Sequence, residues 1–562
     1  MNKKWEFTKI DENKVKEISE RYNIPELVSI ILVNRGITDE EQIKVFLTPS
    51  RNDFHDPYLL PDIEKAVKRI IDAIEKNEKV IIYGDYDVDG ITSITVLKQF
   101  LEQRGLKCDY YIPNRLQEGY GLNKQAIEGF ATQGYTLMIT VDCGISGKAE
   151  IDFANELKID TIVTDHHEPL EILPNAIAVL DPKRLDSKYP FRELAGVGVV
   201  FKLIQALGIK LNLDAKEYLK FLDIVCVGTI SDIVPLIDEN RVIAKLGLKL
   251  VEQTRNIGLK SIIKSSGYKN IDSNTISFGI APRINACGRV GDVQDAIELF
   301  LTPNIVKANE ITEKLNQYNK DRQDKEKAIY KEAIEEIEKN KLVEKDCIVL
   351  GGNNWHNGVI GIVASKVAET YYKPTILVSF DGEEAKGSGR SIQGFDLHEV
   401  LCECSKWLEK YGGHEMAVGL SLKKENFENF KQNFEEIAKK LNVTEQVPII
   451  FIDKLLTIKD LNIDAVKSLN MLEPFGESNK VPIFAYKNIR IDSIRAISEG
   501  KHLKMSLKDE NTIIDAIGFG MGSLTTEYTI GDKVDVAGTL EINTYNGIDK
   551  IQINLKSIMK SY

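Results

Sequence analysis

The sequence predicts an α/β protein of several domains, with two α/β lobes joined by a long helix and followed by a small β-barrel. Three observations support this fold class. Apolar, strand-like runs alternate with helical segments in the first half of the chain, as in a doubly wound parallel sheet. A charged helical stretch at residues 303–340 then precedes a second α/β unit. After Gln446 the pattern changes to alternating strands separated by turn residues.

The composition is that of an ordinary globular protein. The chain has 562 residues, of which 43% are hydrophobic and 28% charged, and its net charge is −12. No apolar run approaches the roughly 20 residues of a membrane span, and the N-terminus has no secretory signal pattern. The seven cysteines are scattered without a CxxC pair, which argues against disulfides and a zinc ribbon. We therefore expect a cytoplasmic protein.

Changes in pattern along the chain give the expected domain limits. They are an N-terminal helical segment at 1–50, a first α/β domain at 51–302, a connecting helix at 303–340, a second α/β domain at 341–445 and a barrel at 446–562. Five or so short strands in the last segment suggest the oligonucleotide-binding type of barrel. From Gln446 onward 14 basic residues stand against 15 acidic ones, a balance that permits contact with a polyanion.

Acidic side chains and two histidines follow the predicted strands of the first lobe. Asp85, Asp87 and Asp89 come after the apolar run "KVIIYG", and Asp142 comes after "YTLMITV". Further strand ends carry Asp165, His166, His167 and Asp181, and Asp232 follows another apolar run. Because ligands bind at the carboxyl ends of such strands, we expect these side chains to converge.

Two other interpretations of "DYDVDG" are open at this point. A calcium EF-hand loop would need a glutamate twelve positions from its start, where the chain has Val96, and a helix instead of a strand before it. An aspartate-rich turn could simply cap the next helix, although one aspartate suffices for a cap. The carboxylates and histidines at the other strand ends favour a metal site instead.

Mixed carboxylate and imidazole ligands suit Mn²⁺ or Mg²⁺ better than a thiolate-rich zinc site. Five or six such ligands exceed what one catalytic ion with open positions needs. They suffice for two ions about 3.5–4 Å apart that share a bridging carboxylate.

The segments "YGDYDVDGITS", "VDCG", "TDHHE" and "GTISDIVPL", in this order, resemble the four motifs of the DHH phosphoesterase family. The further segments "APRINACGR", "GSGRSIQGFDL" and "YGGHEMAVGL" are similar to those of a branch that degrades single-stranded DNA. The resemblance covers nearly the whole chain. It implies a DHH domain with a doubly wound parallel sheet, a smaller DHHA1 lobe and a terminal OB barrel.

The resemblance also implies the roles of individual residues in the first lobe. The metal ligands of two Mn²⁺ or Mg²⁺ ions would be Asp87, Asp89, Asp142, His166 and Asp232. Asp142 would bridge the ions, Asp85 would support the catalytic site, and His167 would contact the scissile phosphate or orient its neighbours. Some family members have a histidine where this chain has Tyr83, which leaves the ligands of one metal open.

A second set of residues falls on the substrate-binding positions of the family. By resemblance, Ser388 and Arg390 would hold a 5′-terminal phosphate. The remaining positions are Arg115, Tyr120, Arg289, Gly412, Gly413 and His414. Tyr120 lies between two glycines and could stack on a base or be an ordinary packed ring. A glycine pair before a histidine is by itself typical of a plain turn.

The implied activity is two-metal hydrolysis of single-stranded DNA from its 5′ end to 5′-mononucleotides, in DNA recombination and repair. The resemblance also implies a monomer, with a single-strand-binding protein and a RecQ-type helicase as partners and no membrane contact. Two alternatives remain. One is a phosphodiesterase of short oligonucleotides or cyclic dinucleotides, which would need neither the long helix nor the barrel. The other is a non-catalytic strand-binding scaffold, against which the intact acidic motifs argue.

Overall fold

The computed structural model describes residues 3–114, 118–119, 121–441, 447–545 and 547–561. They form two compact units that do not follow the order of the chain. The first unit comprises Met1–Phe54, Pro235–Lys245 and Val447–Tyr562, and the second comprises His55–Val234 and Leu246–Gln446. The N-terminal segment thus belongs to the same unit as the terminal barrel, which the sequence order does not indicate.

The N-terminal segment is a short strand followed by three helices. These are β1 (Lys4–Phe7), α1 (Glu12–Tyr22), α2 (Glu26–Asn34) and α3 (Glu40–Leu47). Asp11 and Asp39 cap α1 and α3, because their carboxylates accept hydrogen bonds from the amides of Lys14 and Gln42.

The second unit begins with a five-stranded sheet. Its strands are β2 (Val80–Gly84), β3 (Cys108–Tyr111), β4 (Leu137–Val141), β5 (Asp160–Thr164) and β6 (Ala178–Leu180). The strand order is β3-β2-β4-β5-β6 and every pair is parallel, with Ile82 opposite Ile139 and Ile139 opposite Ile162. The predicted parallel sheet is confirmed. Its strand order reverses between β2 and β4, where such sheets form a ligand crevice at the carboxyl ends.

The described residues of this part of the chain also form helices, some of which pack on the sheet while others pack against α5 and against one another. They are α4 (Ile63–Lys76), α5 (Val88–Glu102), α6 (Lys124–Thr132), α7 (Lys148–Glu156), α8 (Gly196–Lys210), α9 (Lys216–Leu219), α10 (Leu222–Ser231), α11 (Asp238–Val251), α12 (Ile257–Ser266), α13 (Ala281–Val290) and α14 (Val293–Leu301). Helix α5 starts at the acidic cluster and packs against α8, α10 and α14, so it is buried on nearly all sides.

Helix α15 (Ile305–Lys339) has 35 residues and is about 52 Å long at 1.5 Å per residue. Its first half packs against α12, α13 and α14. Its second half places Ile329, Ala333 and Ile337 in a hydrophobic cluster with Val359 and Val363 of the second lobe. One continuous helix therefore spans both lobes.

The second lobe is a five-stranded mixed sheet with three helices. Its elements are β7 (Ile348–Asn353), α16 (Asn357–Tyr371), β8 (Thr375–Asp381), β9 (Glu384–Arg390), α17 (Leu397–Glu403), β10 (Lys410–His414), β11 (Ala417–Lys423) and α18 (Phe427–Lys440). The strand order is β10-β11-β9-β8-β7, in which only β7 and β8 are parallel within the described residues.

The last segment is a closed barrel. Its elements are β12 (Ile449–Ile452), β13 (Lys454–Leu455), α19 (Ile463–Ser468), β14 (Phe484–Ile497), β15 (His502–Asp509), β16 (Thr512–Gly518), β17 (Lys533–Tyr545) and β18 (Ile548–Lys560). The order is β13-β14-β15-β16-β18-β17, and pairing of β14 with β17 closes it. The barrel is confirmed, but β14, β17 and β18 have 13 or 14 residues, so the expectation of short strands was wrong. Shifts of register in β14 and β17 let these long strands bend around the closure.

Arg241 joins the three parts of the first unit. Its fully buried guanidinium donates to the backbone carbonyls of Phe46, Leu472, Glu473 and Pro474 at 2.7–3.2 Å. None of the helices in the described ranges has the length and hydropathy that a transmembrane segment requires.

Candidate metal centre and phosphate pocket

The loop after β2 brings three aspartates to the crevice. Asp85 and Asp89 are buried, and Asp87 caps α5 by accepting a hydrogen bond from the amide of Gly90 at 3.1 Å. Gly90 is required there, since a Cβ would lie 2.4 Å from the carbonyl oxygen of Asp85. The alternation of the three residues places Asp87 at the start of the helix and Asp89 inside its first turn.

Asp142 follows β4 in the left-handed region, at φ 59°. Its backbone amide donates to the carbonyl of Thr164 at 2.9 Å, which extends the β4–β5 pairing and aims its side chain across the crevice. Its Oδ1 atom lies 3.2 Å from Nε2 of His166. Both atoms are buried without a hydrogen-bond partner, which is the state expected of ligand atoms that face a cation.

The Asp165–His166–His167 run follows β5, and its three residues have different roles. Asp165 is buried, and one of its oxygens accepts from Nδ1 of His167 at 2.7 Å and from the amide of His166 at 2.8 Å. Its other oxygen accepts from the amide of Ile145. A hydrogen bond with the backbone of Leu194 acts to raise the pKa of His166, and Nε2 of this ring faces the carboxylates without a hydrogen-bond partner.

Asp232 reaches the site from a helix and not from a strand. It caps the C-terminus of α10, and its Oδ2 atom lies 3.6 Å from Nε2 of His166. The sequence presented an apolar run before Asp232, as it did before Asp142. That run is helical because α10 is buried within the helical layer against α5 and α8, where continuous apolar character has no strand period.

The electrostatics of the cluster are those of crowded carboxylates. Burial and the neighbouring Asp87 raise the pKa of Asp89 to about 7. Burial and the surrounding aspartates raise the pKa of Asp142 and Asp232 well above the usual range. Burial lowers the pKa of His166 to about 3, so its imidazole is neutral at physiological pH and available as a ligand.

His167 has the opposite character. Burial lowers its pKa, but the hydrogen bond and charge of Asp165 outweigh this and raise it to about 9. The same contact lowers the pKa of Asp165, although burial acts to raise it. His167 is therefore a cation at neutral pH, suited to an anionic substrate and poorly suited to bind a metal.

Three overlapping sets of side chains place their ligand atoms within 4.8 Å of one another. They are Asp85, Asp87 and Asp142; Asp89, His166 and Asp232; and Asp142, His166 and His167. The first set offers carboxylate oxygens alone, whereas the second includes an imidazole. Asp142 takes part on both sides. The residues present therefore fit two divalent cations, and they add Asp85 to the candidate ligands.

Tyr83 does not compete for these cations. Its hydroxyl donates to the carbonyl of Gly121 at 2.9 Å, and its buried ring packs against Tyr111 and Phe130. The cation that a histidine at this position would bind must therefore be held here by carboxylates.

Sequence reasoning assigned no role to the start of α8, which is essential to the geometry. The amides of Gly196 and Val197 donate to the two oxygens of Asp89 at 2.7 and 2.8 Å. A Cβ on Gly196 would lie 2.6 Å from Oδ1 of Asp142. The signal was the "LAGVGVV" segment, in which a glycine opens an apolar helix.

The predicted phosphate residues of the second lobe, Ser388 and Arg390, lie near α16, and the predicted strand contact Arg289, on α13, contacts the start of the same helix. Arg390 donates to Oγ of Ser388 at 3.1 Å, and Arg289 donates to the carbonyl of Gly358 at 2.9 Å. Gly361 lets the helix approach, because a Cβ there would lie 2.9 Å from the Ser388 hydroxyl.

The "GGH" segment lies on the same sheet. Gly412 on β10 pairs with Gly419 on β11, which pairs with Ser388 on β9. Cβ atoms on Gly412 or Gly419 would point into open space, so a flat surface extends from Ser388 across β11. Gly413 has φ 137° and no room for a side chain, and His414 is exposed. Gly419 was missed because an isolated glycine within a strand carries no such signal.

The predicted strand contacts Arg115 and Tyr120 lie outside the described residues. The two glycines beside Tyr120, Gly119 and Gly121, both have positive φ, at 85° and 90°.

A parallel sheet that gathers aspartates and an Asp-His-His run at its carboxyl edge, with a second lobe of this topology, defines a DHH phosphoesterase. Three family models match the chain. The model of the DHH family, N-terminal domain, matches residues 79–229, that of the DHHA1 domain matches 342–440, and that of the RecJ OB domain matches 452–557. The chain belongs to the RecJ family of single-stranded-DNA-specific exonucleases.

Individual relatives support this assignment. The single-stranded-DNA-specific exonuclease RecJ of Bacillus subtilis is 39% identical over 98% of this chain and 70% of its own length. That of Dickeya dadantii is 31% identical over 95% and 96%. The crystal structure of RecJ in complex with Mn²⁺ from Thermus thermophilus superposes with a TM-score of 0.86 at 28% identity, over 100% of this chain and 80% of that chain. A second structure of that protein contains Mg²⁺.

Proposed function

We propose that this chain is a metal-dependent exonuclease that degrades single-stranded DNA in the 5′-to-3′ direction to 5′-mononucleotides. The observation that carries the proposal is the pair of buried, unpartnered ligand atoms, Oδ1 of Asp142 and Nε2 of His166, inside a carboxylate cluster. Membership of the RecJ family supplies the substrate class.

We assign the cations to the predicted ligands together with Asp85. These ligands are Asp85, Asp87, Asp89, Asp142, His166 and Asp232. Two Mn²⁺ or Mg²⁺ ions would supply an activated water at neutral pH and stabilise the leaving oxygen. The protein holds the ligands in place: the amides of α8 fix Asp89, and the backbone of Leu194 contacts the ring of His166.

His167 would contact the scissile phosphate. Its proton is retained through the hydrogen bond to Asp165, so it presents a positive charge beside the cluster. A cation that is fixed before the substrate arrives stabilises the charge that develops on the phosphoryl oxygens.

The second lobe would select the 5′ end. Ser388, Arg390 and Arg289 lie around the start of α16, where backbone amides and a planar guanidinium suit a terminal phosphate. The glycine surface toward His414 would let the strand approach the backbone. A strand held there by its end is cut at a fixed distance from that end, which makes the reaction exonucleolytic.

The experiment compares 5′-labelled and 3′-labelled single strands, with a duplex control, in Mn²⁺. We expect the 5′ label to appear at once as mononucleotide, the 3′ label to remain on shortening strands, and the duplex to persist. Internal cuts, or preference for dinucleotides in a length series, would contradict the proposal.

The cellular setting is a further part of the proposal. We infer that the protein acts as a monomer in the cytoplasm in recombination and repair, beside a single-strand-binding protein and a RecQ-type helicase. None of the seven cysteines, all of which lie in the described residues, forms a disulfide, which suits a reducing compartment.

A further inference from the structure

Lys183 lies at the same edge of the sheet as the metal centre but has no assigned role. It follows β6 in the turn Asp181–Pro182–Lys183. Its amide donates at 2.7 Å to Oδ1 of Asp181, a fully buried carboxyl, and its carbonyl accepts from Arg192 at 2.5 Å. The backbone of Lys183 is therefore held at both of its polar atoms.

The ammonium group is sheltered but loosely engaged. Its side chain is 16% exposed, yet Nζ lies 3.4 Å from Glu168 and 3.7 Å from Glu193, beyond the 2.7–3.2 Å or so of a good hydrogen bond. Both glutamates are largely exposed, at 79% and 45%, so water can replace them. Ion pairs with solvent-exposed partners contribute little to the free energy of folding.

The next residue shows what a structural cation looks like in this turn. Arg184 donates to Asp62 at 2.6 Å and to both oxygens of Asp186 at 2.7 and 2.9 Å. Its guanidinium is engaged by these partners and fastens the turn. Lys183 is not needed for that task.

The turn that carries Lys183 lies beside the run that carries the two histidines. Strand β6 is parallel to β5, with Leu180 opposite Thr164, and the amide of Asp165 donates to the carbonyl of Leu180 at 3.0 Å. The ammonium lies 3.4 Å from the carboxylate of Glu168, the residue that follows His167. Lys183 thus adds a second protein cation at this edge of the sheet, after His167.

We propose that Lys183 is a catalytic residue that leaves its two glutamates and donates to a non-bridging oxygen of the scissile phosphate. The inference rests on the proposed function. A lysine acts on phosphate as a mobile point charge, and a long stem from a fixed backbone lets its ammonium follow the phosphoryl group as charge builds up. Glu168 and Glu193 only compete with the phosphate for the ammonium, and the substrate displaces them.

The test measures kcat on a 5′-phosphorylated single strand in Mn²⁺. Lys183→Gln should lower kcat by about 100-fold, the order seen when one charge-stabilising donor is removed. Lys183→Arg should keep part of the activity, and Lys188→Gln, an exposed lysine of the same turn, should match the parent. Mn²⁺ binding, followed by electron paramagnetic resonance, and the thermal midpoint should not change in Lys183→Gln.

In the competing account Lys183 has only a structural role. Its ion pairs with Glu168 and Glu193 would hold the loop after His167 in place. The double variant Glu168→Gln/Glu193→Gln distinguishes the catalytic role from the structural one. It removes both ion pairs of Lys183 but leaves its ammonium able to bind phosphate. We expect kcat at or above the parental value. A loss as large as that of Lys183→Gln, parental kcat in Lys183→Gln, or loss of Mn²⁺ binding there would overturn the inference while leaving the proposed function intact. An inert parent protein would overturn both.

Discussion

At the scale of the residue, Asp142 combines an unusual backbone with an unfavourable charge. Its left-handed φ of 59° suits aspartate and asparagine better than most residues. Its carboxyl is buried among other carboxylates, which raise its pKa. In the metal-free protein the contribution of this carboxyl to the free energy of folding therefore becomes less favourable as the pH rises above its usual pKa of about 4.

We predict that Asp142→Asn separates function from stability. In EDTA at pH 8 the variant should unfold a few degrees above the parent, because one buried charge is gone and the backbone is undisturbed. Nuclease activity should disappear. Asp142→Ala is a poorer variant, since alanine at positive φ costs about 1–2 kcal/mol. Parental activity in Asp142→Asn would refute the ligand assignment.

His167 contributes a pH dependence of the same sign in a higher pH range. Its pKa is about 9 in the folded protein, above the usual value of about 6.5. Its contact with Asp165 therefore stabilises the fold fully below pH 6.5, and this stabilisation is lost as the pH rises to 9. The stability difference between parent and His167→Gln, measured by urea unfolding in EDTA, should shrink over this range. A difference that grows over this range would show that the sign is wrong.

At the scale of the element, the start of α8 supports the metal centre without supplying a ligand. Two of its amides satisfy Asp89, and Gly196 makes room for Asp142. These contacts link a helix to residues more than fifty positions earlier in the chain. Their effect depends on the close approach of a backbone.

We predict that Gly196→Ala weakens Mn²⁺ binding at least tenfold although every ligand is retained, because the new methyl group must displace the Asp142 carboxylate. Calorimetric titration with Mn²⁺ measures this. Gly129→Ala in α6, whose Cβ would touch nothing closer than 4.0 Å, is the matched control and should bind normally. Equal Mn²⁺ affinities in the two variants would show that the start of α8 does not support the metal centre.

Some helices and strands of the metal centre could be predicted from the sequence and others could not. The strands of the first lobe and their aspartates were predictable, because strand ends in a parallel sheet converge by topology. The helical origin of Asp232 was not, since a buried helix and a buried strand are both apolar runs. Nor were Gly196 and Gly419, whose role arises only from what approaches them in three dimensions.

At the scale of the whole molecule, the first compact unit is assembled from three distant stretches of chain. Arg241 lies where they meet, with its guanidinium stacked 3.5 Å from the ring centre of Phe46 and bound to carbonyls of the segment around Pro474. Burial lowers its pKa to about 9, with a smaller contribution from Arg35. This role could not be predicted from the sequence, because a lone arginine is ordinarily a surface residue.

We predict that Arg241→Ala destabilises the protein by about 3 kcal/mol, because several buried carbonyls lose a charged donor. Arg241→Lys should recover only part of this, since an ammonium cannot reproduce the planar fork. Lys249→Ala, an exposed position later in the same helix, is the control. Chemical unfolding measures all three, and a change below about 1 kcal/mol in Arg241→Ala would contradict the account.

We expect the acidic cluster to bind two divalent cations in unequal subsites, one lined by carboxylates and one that includes His166. Titration of the metal-free protein with Mn²⁺, followed by electron paramagnetic resonance, tests it most directly. We predict two bound ions per chain with different affinities, and loss of the tighter one in His166→Ala. A single bound ion, or two that His166→Ala leaves untouched, would contradict the account.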